Sequence, residues 1–153
     1  MRKLNSPDFA WLQLPANLDA LEVFRTFISQ KADKASFPSE VFSKLELVFE
    51  ELLVNIIRYA YPDKQAGIVE VGCGPTEEDL FCIQLRDRGI PFNPLSLASP
   101  DVTLDIEDRQ IGGLGIYFVL QMADALHYER VGEWNEFTFC FRHSGSGRGL
   151  KNR

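Results

Sequence analysis

One stretch, Leu45 to Tyr61 (LELVFEELLVNIIRYAY), limits the folds open to this chain more than any other. Apolar residues fall on almost every side of a helix drawn through it, so most of that helix must be covered. Yet Glu51 and Asn55 stand four residues apart and share one helical face. Burying a carboxylate and an amide costs free energy unless each finds a partner. The partner is either a nearby backbone group or something bound, such as a metal ion with a nucleotide behind it. Val41, Leu45, Val48, Leu52, Ile56 and Tyr59 form the core stripe of this helix. Ser43, Glu46 and Glu50 form a solvated stripe, and Glu51, Asn55 and Arg58 form a second polar stripe about a quarter-turn away. Pro38-Ser39 opens the helix and Pro62-Asp63 stops it near Tyr61.

The flanking sequence supplies a sheet. Phe9 to Leu14 reads as a short strand closed by Pro15. A helix follows over about Leu18 to Asp33, capped by Asn17 or Asp19, with Leu21, Phe24, Phe27 and Ile28 on one face. After the long helix, Ile68 to Cys73 and Leu80 to Leu85 alternate as strands, with a hairpin connection at 74–79. Residues 94–111 lack periodicity, and the whole connection at about 92–111 reads as a lid. It leads to Gly112-Gly113-Leu114-Gly115 and a helix over about Leu114 to Ala125. Leu126 to Val131 and Glu136 to Arg142 form a last strand pair around a turn at 132–135. Paired strands with intervening helices predict an α+β fold, a two-layer sandwich whose mostly antiparallel sheet carries helices on one face. A single domain over residues 1–142 is expected, followed by a disordered basic tail at 143–153.

Composition narrows the function. A net charge of −6 argues against direct nucleic-acid binding. No apolar run approaches a membrane span, and the first residues lack a signal-peptide core, so a cytoplasmic protein is expected. Cys73, Cys82 and Cys140 lack the spacing of a zinc site and are expected as small buried thiols in a reducing compartment.

Three constellations carry chemistry. Glu51 and Asn55 supply a base and a metal-binding amide oxygen; Glu50 lies well round the helix from Asn55. Asp87 ends an apolar strand, where its carboxylate can accept from an adenine amino group, and Gly89 lets the chain turn beneath a flat base. Gly112, Gly113 and Gly115 precede a helix, where exposed N–H groups bind phosphate. Taken singly, the helix pair reads better as a solvated stripe and Asp87-x-Gly89 as an ordinary turn, and the glycines alone are only a weak sign of phosphate binding over a flexible helix entry.

The order E-x-x-x-N, D-x-G-x-P-F, lid, G-G-x-G resembles the GHKL ATPase superfamily. EELLVNIIRYAYPD, LRDRGIPFNP, IGGLGIYFVLQMADALHYER and NEFTF are most similar to anti-sigma factor serine/threonine-protein kinases of the RsbW and SpoIIAB kind. The resemblance implies a Bergerat-type sandwich that uses ATP and magnesium. It implies Glu51 as catalytic base, Asn55 as magnesium ligand, Asp87 as adenine reader and Gly89 as a shaper of the base pocket. It also implies Gly113 and Gly115 at the phosphates, Gly112 in the closing lid, and Thr138 beside adenine. Asn135 takes a structural role before the last strand. The implied partners are a STAS-type anti-sigma-factor antagonist, a sigma factor, and a second copy through the N-terminal strand and first helix. The family often has His where Arg58 or Tyr59 stands and Asp where Asn93 stands. No lysine clamp is evident, which leaves Arg88 or Arg109 to assist magnesium and backbone amides. A nucleotide-dependent binding module without kinase activity fits the same residues.

Overall fold

The computed structural model describes residues 9–62, 67–97 and 120–142. The predicted lid beyond residue 97, the Gly112–Gly115 turn with most of the following helix, and the basic tail lie outside them. The elements run β1 (Ala10–Pro15), α1 (Ala20–Lys34), α2 (Ser39–Tyr59), β2 (Ile68–Pro75), β3 (Leu80–Asp87), β4 (Ala125–Val131) and β5 (Trp134–Arg142). A 3-10 turn at Pro94–Leu97 occupies ground expected to be irregular. The five strands form one sheet in the order β1-β2-β3-β5-β4. All four neighbouring pairs are antiparallel.

The helices cover one face of this sheet because side chains alternate along each strand. Val69, Val71 and Cys73 of β2, Phe81, Ile83 and Leu85 of β3, and Phe137, Phe139 and Phe141 of β5 point toward the helices. They meet Phe24 and Ile28 of α1 and Leu45, Val48, Phe49, Leu52 and Leu53 of α2. Phe24 and Phe49 meet edge to face at 6.1 Å. Each such side chain, fully buried, contributes about 1.5–3 kcal/mol. The expected core stripe of α2 holds at Leu45, Val48 and Leu52, with Phe49 and Leu53 widening it. Glu50 is exposed and Glu51 half-buried.

The opposite face of the sheet has its own contacts. Arg86 lies between the rings of Trp11 and Trp134, 5.8 and 4.3 Å from their centroids. Its guanidinium reaches Glu70 at 2.7 Å and Glu136 at 3.1 Å, tying β2, β3 and β5 together. On this face the expectation of three free thiols is corrected. Cys82 and Cys140 are direct partners in the β3–β5 register and form a disulfide. Their separation of 58 residues hides that pairing from a reading of spacing alone. Cys73 alone stays free, buried on the helix side, with burial pushing its thiol up to about 12.

Candidate functional site

The end of α2 places the loop that follows β3. Pro62 cannot continue the helix, and Tyr61 turns back over the sheet. The Tyr61 hydroxyl donates to the Ile68 carbonyl at 2.7 Å and accepts the Arg88 N–H at 2.9 Å. Ile90 N–H donates to the Ala60 carbonyl at 2.9 Å. Between these two contacts the chain passes so close to α2 that a Cβ on Gly89 would lie 2.2 Å from the Ala60 oxygen. Gly89 is therefore required by close approach to the helix end, and it does not line the pocket itself. The Arg130 guanidinium fastens the loop from β4, donating to the Gly89 carbonyl at 2.8 Å.

These contacts bring Asp87 toward α2. Asp87 and Asn55 line one cavity with Leu52, Ile56, Leu85, Phe92, Pro94, Tyr128, Asn135 and Phe137. Its volume is about 20 Å³, room for about one water. That is too small for a flat base, which enters only if the cavity widens. Asn55 is 6% exposed, and its Nδ2 donates to the Glu51 carbonyl at 2.7 Å. That bond settles the amide's orientation and leaves Oδ1 available. An amide oxygen of this kind suits magnesium, which takes few protein oxygens and keeps waters and phosphates as its other ligands. Glu51, one turn earlier, stands off the cavity wall.

Asp87 is 4% exposed. Its Oδ1 accepts from Gly89 N–H and from Asn135 Nδ2, both at 2.9 Å. Burial raises its carboxyl above the ordinary carboxylate range, against the lowering effect of those two donors and of Arg130. No donor among the described residues reaches Oδ2.

Thr138 does not join this group. It is buried on the other face of the sheet, where its hydroxyl accepts from Gln84 Nε2 at 2.8 Å. The reason is parity along β5: Asn135, Phe137, Phe139 and Phe141 face the helices, so Thr138 faces away. The residue beside Asp87 is Asn135, expected in a structural role before the last strand. Counting alternate positions back from the phenylalanines would have found it. Tyr128 of β4 was also missed, and it donates from its hydroxyl to Asn135 Oδ1. Arg88 is turned to Glu133 at 2.9 Å and lies over Trp134, away from the cavity. Gly112, Gly113, Gly115 and Arg109 fall outside the described residues.

Comparison with known proteins gives this arrangement a family context. The profile of the histidine kinase-like ATPase domain matches residues 14–141. Serine-protein kinase RsbW of Listeria monocytogenes is 27% identical over 124 residues, covering 77% of this chain and 78% of that protein. Serine-protein kinase RsbW of Oceanobacillus iheyensis is 25% identical over 130 residues, covering 79% and 78%. Serine/threonine-protein kinase BtrW of Bordetella bronchiseptica is 27% identical over 94 residues, covering 61% and 66%. A solved Mycobacterium tuberculosis structure of RsbU and RsbW domains superposes with a TM-score of 0.59 at 12% identity. The match spans 87% of this chain and 32% of that one, and it bears on the fold.

Proposed function

Since this chain belongs to the histidine kinase-like ATPase domain family, we propose that it is an ATP- and magnesium-dependent protein-serine/threonine kinase. Its substrate is a STAS-type anti-sigma-factor antagonist, and in its unopposed state it sequesters a sigma factor. The observation that carries this reading is the single cavity on whose wall Asn55 and Asp87 meet, although they are 32 residues apart in the chain. The named relatives, serine-protein kinases of the RsbW type, supply the reaction class.

The residues divide the work by chemistry. Asp87 Oδ2 accepts from the 6-amino group of adenine, and Leu52, Ile56, Leu85 and Phe137 supply apolar walls for the ring. Asn55 Oδ1 would hold magnesium, which would supply charge neutralisation at the phosphates. Glu51 would take the proton of the substrate hydroxyl as its oxygen bonds to the γ-phosphorus of ATP, while the bond from that phosphorus to the β–γ bridging oxygen breaks and ADP leaves. Backbone amides at Gly113 and Gly115 cradle the phosphates, with Gly112 in the closing lid. The catalytic domain spans residues 1–142 and acts as a cytoplasmic homodimer. No helix among the described residues is long and apolar enough to cross a membrane.

Glu51 standing off the cavity wall favours one competing reading, a nucleotide-set binding module that transfers nothing. Incubation with Mg-ATP and a purified STAS-type antagonist separates the two. Phosphoserine or phosphothreonine on the antagonist supports the kinase; tight Mg-ATP binding without transfer supports the module.

A further inference from the structure

Asn135 has all four of its hydrogen-bonding positions filled. Nδ2 donates to Asp87 Oδ1 at 2.9 Å and to the Ile90 carbonyl at 2.8 Å. Oδ1 accepts from Phe92 N–H at 3.2 Å and from the Tyr128 hydroxyl. An amide has two donor hydrogens and two acceptor lone pairs, so in this state the side chain is fully engaged; outward movement of Phe92 would open one acceptor position and leave the Nδ2 bond to Asp87 in place. Its orientation is also fixed, because a flipped amide would set its oxygen against a carboxylate and a carbonyl. The side chain is 5% exposed and sits on the cavity wall. Three separate pieces of chain converge on it: the end of β3 through Asp87, the loop through Ile90 and Phe92, and β4 through Tyr128.

The consequence lies in Asp87. With Gly89 N–H and Asn135 Nδ2 both on Oδ1, the carboxylate cannot rotate freely about its last bond. One oxygen is committed to the protein and the other is left to the cavity. A carboxylate with a fixed open oxygen accepts from an amino group and repels a carbonyl. A carboxylate free to rotate discriminates less, since it can turn away from a repelling oxygen. We infer that Asn135 is a positioning residue for base selectivity: it holds Asp87 so that the pocket prefers a 6-amino purine over a 6-oxo purine. This rests on the reading of the cavity as a nucleotide site. It adds a residue that acts only through Asp87, at the position where Thr138 was expected to act directly.

The test measures Mg-ATP and Mg-ITP affinity by calorimetric titration of the whole chain, because the two nucleotides differ only along one edge of the base: a 6-amino group beside a bare N1 in ATP, a 6-oxo group beside an N1–H in ITP. Wild type is expected to prefer ATP. Asn135→Ala is expected to reduce the ATP-to-ITP affinity ratio by about tenfold, mostly through tighter ITP binding relative to ATP. Asn135→Thr keeps a donor hydroxyl on a β-branched residue suited to the strand, and is expected to hold the ratio within about threefold of wild type. Tyr128→Phe removes a donor from Asn135 but leaves its bond to Asp87, and is also expected to keep the ratio. If Asn135→Ala does not fold, the similarly sized Asn135→Leu removes the donor without adding a charge and carries the same expectation. A folded Asn135→Ala or Asn135→Leu with the wild-type ratio overturns the inference and leaves the nucleotide site standing. Wild-type protein that binds neither nucleotide, or binds both equally, overturns the site and the inference together.

Discussion

Replacing Asp87 with asparagine separates what the buried carboxylate does for binding from what it costs the fold. The side chain is 4% exposed, and its carboxyl is raised chiefly by burial. A carboxyl raised in the folded state keeps its proton to a higher pH there than in the unfolded chain. Its favourable contribution is therefore complete below the ordinary carboxylate range and is lost as pH rises through the raised native value. Once ionised, the group is a net cost to the fold. Asp87→Asn removes the charge, while the amide oxygen still accepts from Gly89 N–H and Asn135 Nδ2. The same change turns an N–H₂ group toward the amino group of adenine. A hydrogen bond to a charged partner is worth about 1.5–3 kcal/mol, which corresponds to roughly a 10- to 150-fold loss in Mg-ATP affinity. Calorimetric titration at neutral pH reads the affinity, and thermal melts at neutral and mildly acidic pH read the stability. The expected result is weaker binding with a Tm equal to or above wild type at neutral pH. That advantage should shrink as the pH falls through the native value of Asp87. A folded Asp87→Asn protein with undiminished ATP affinity would refute the reasoning.

Other perturbations probe other parts of the account. Glu51→Gln should leave Mg-ATP affinity within about threefold and slow transfer to the antagonist by roughly 10²- to 10⁴-fold, as read in single-turnover assays. Gly89→Ala places a methyl 2.2 Å from the Ala60 oxygen and should destabilise the fold by about 1–3 kcal/mol, seen as a Tm lower by several degrees. Because it also displaces the chain beside Asp87, its ATP affinity should fall with its Tm. Cys73, with its thiol raised to about 12 and its side chain buried, should resist maleimide at mildly alkaline pH and react once the chain is unfolded; rapid labelling of the native protein would contradict its placement.

Periodicity made most of the fold readable. The stripe through Leu45, Val48 and Leu52 marks a helix that must be covered, and each strand expected from alternation is present within a few residues. The β2–β3 and β4–β5 hairpins are antiparallel by their short connections, and β1 and β5 also run antiparallel to the strands they join, β2 and β3. What failed to read from the sequence depended on contacts between distant segments. The Cys82–Cys140 pair joins β3 to β5 and leaves no local trace. Gly89 looked like a turn beneath a base, whereas its constraint comes from Ala60 at the end of α2. Thr138 was assigned from its resemblance to a motif, but strand parity gives the pocket to Asn135. The alternating Phe137, Phe139 and Phe141 carry that parity in the sequence itself. Asn55 and Asp87 were legible because each stood out as a polar residue within an apolar run.

The most direct test of the central claim is an experimental structure of the protein with magnesium and a non-hydrolysable ATP analogue. The account predicts the adenine in the cavity between α2, β3 and β5, with its amino group about 3 Å from Asp87 Oδ2. It predicts Asn55 Oδ1 about 2.1 Å from magnesium. The cavity should have widened to admit the ring. A nucleotide bound elsewhere on the chain, or one in this cavity touching neither Asn55 nor Asp87, would contradict it.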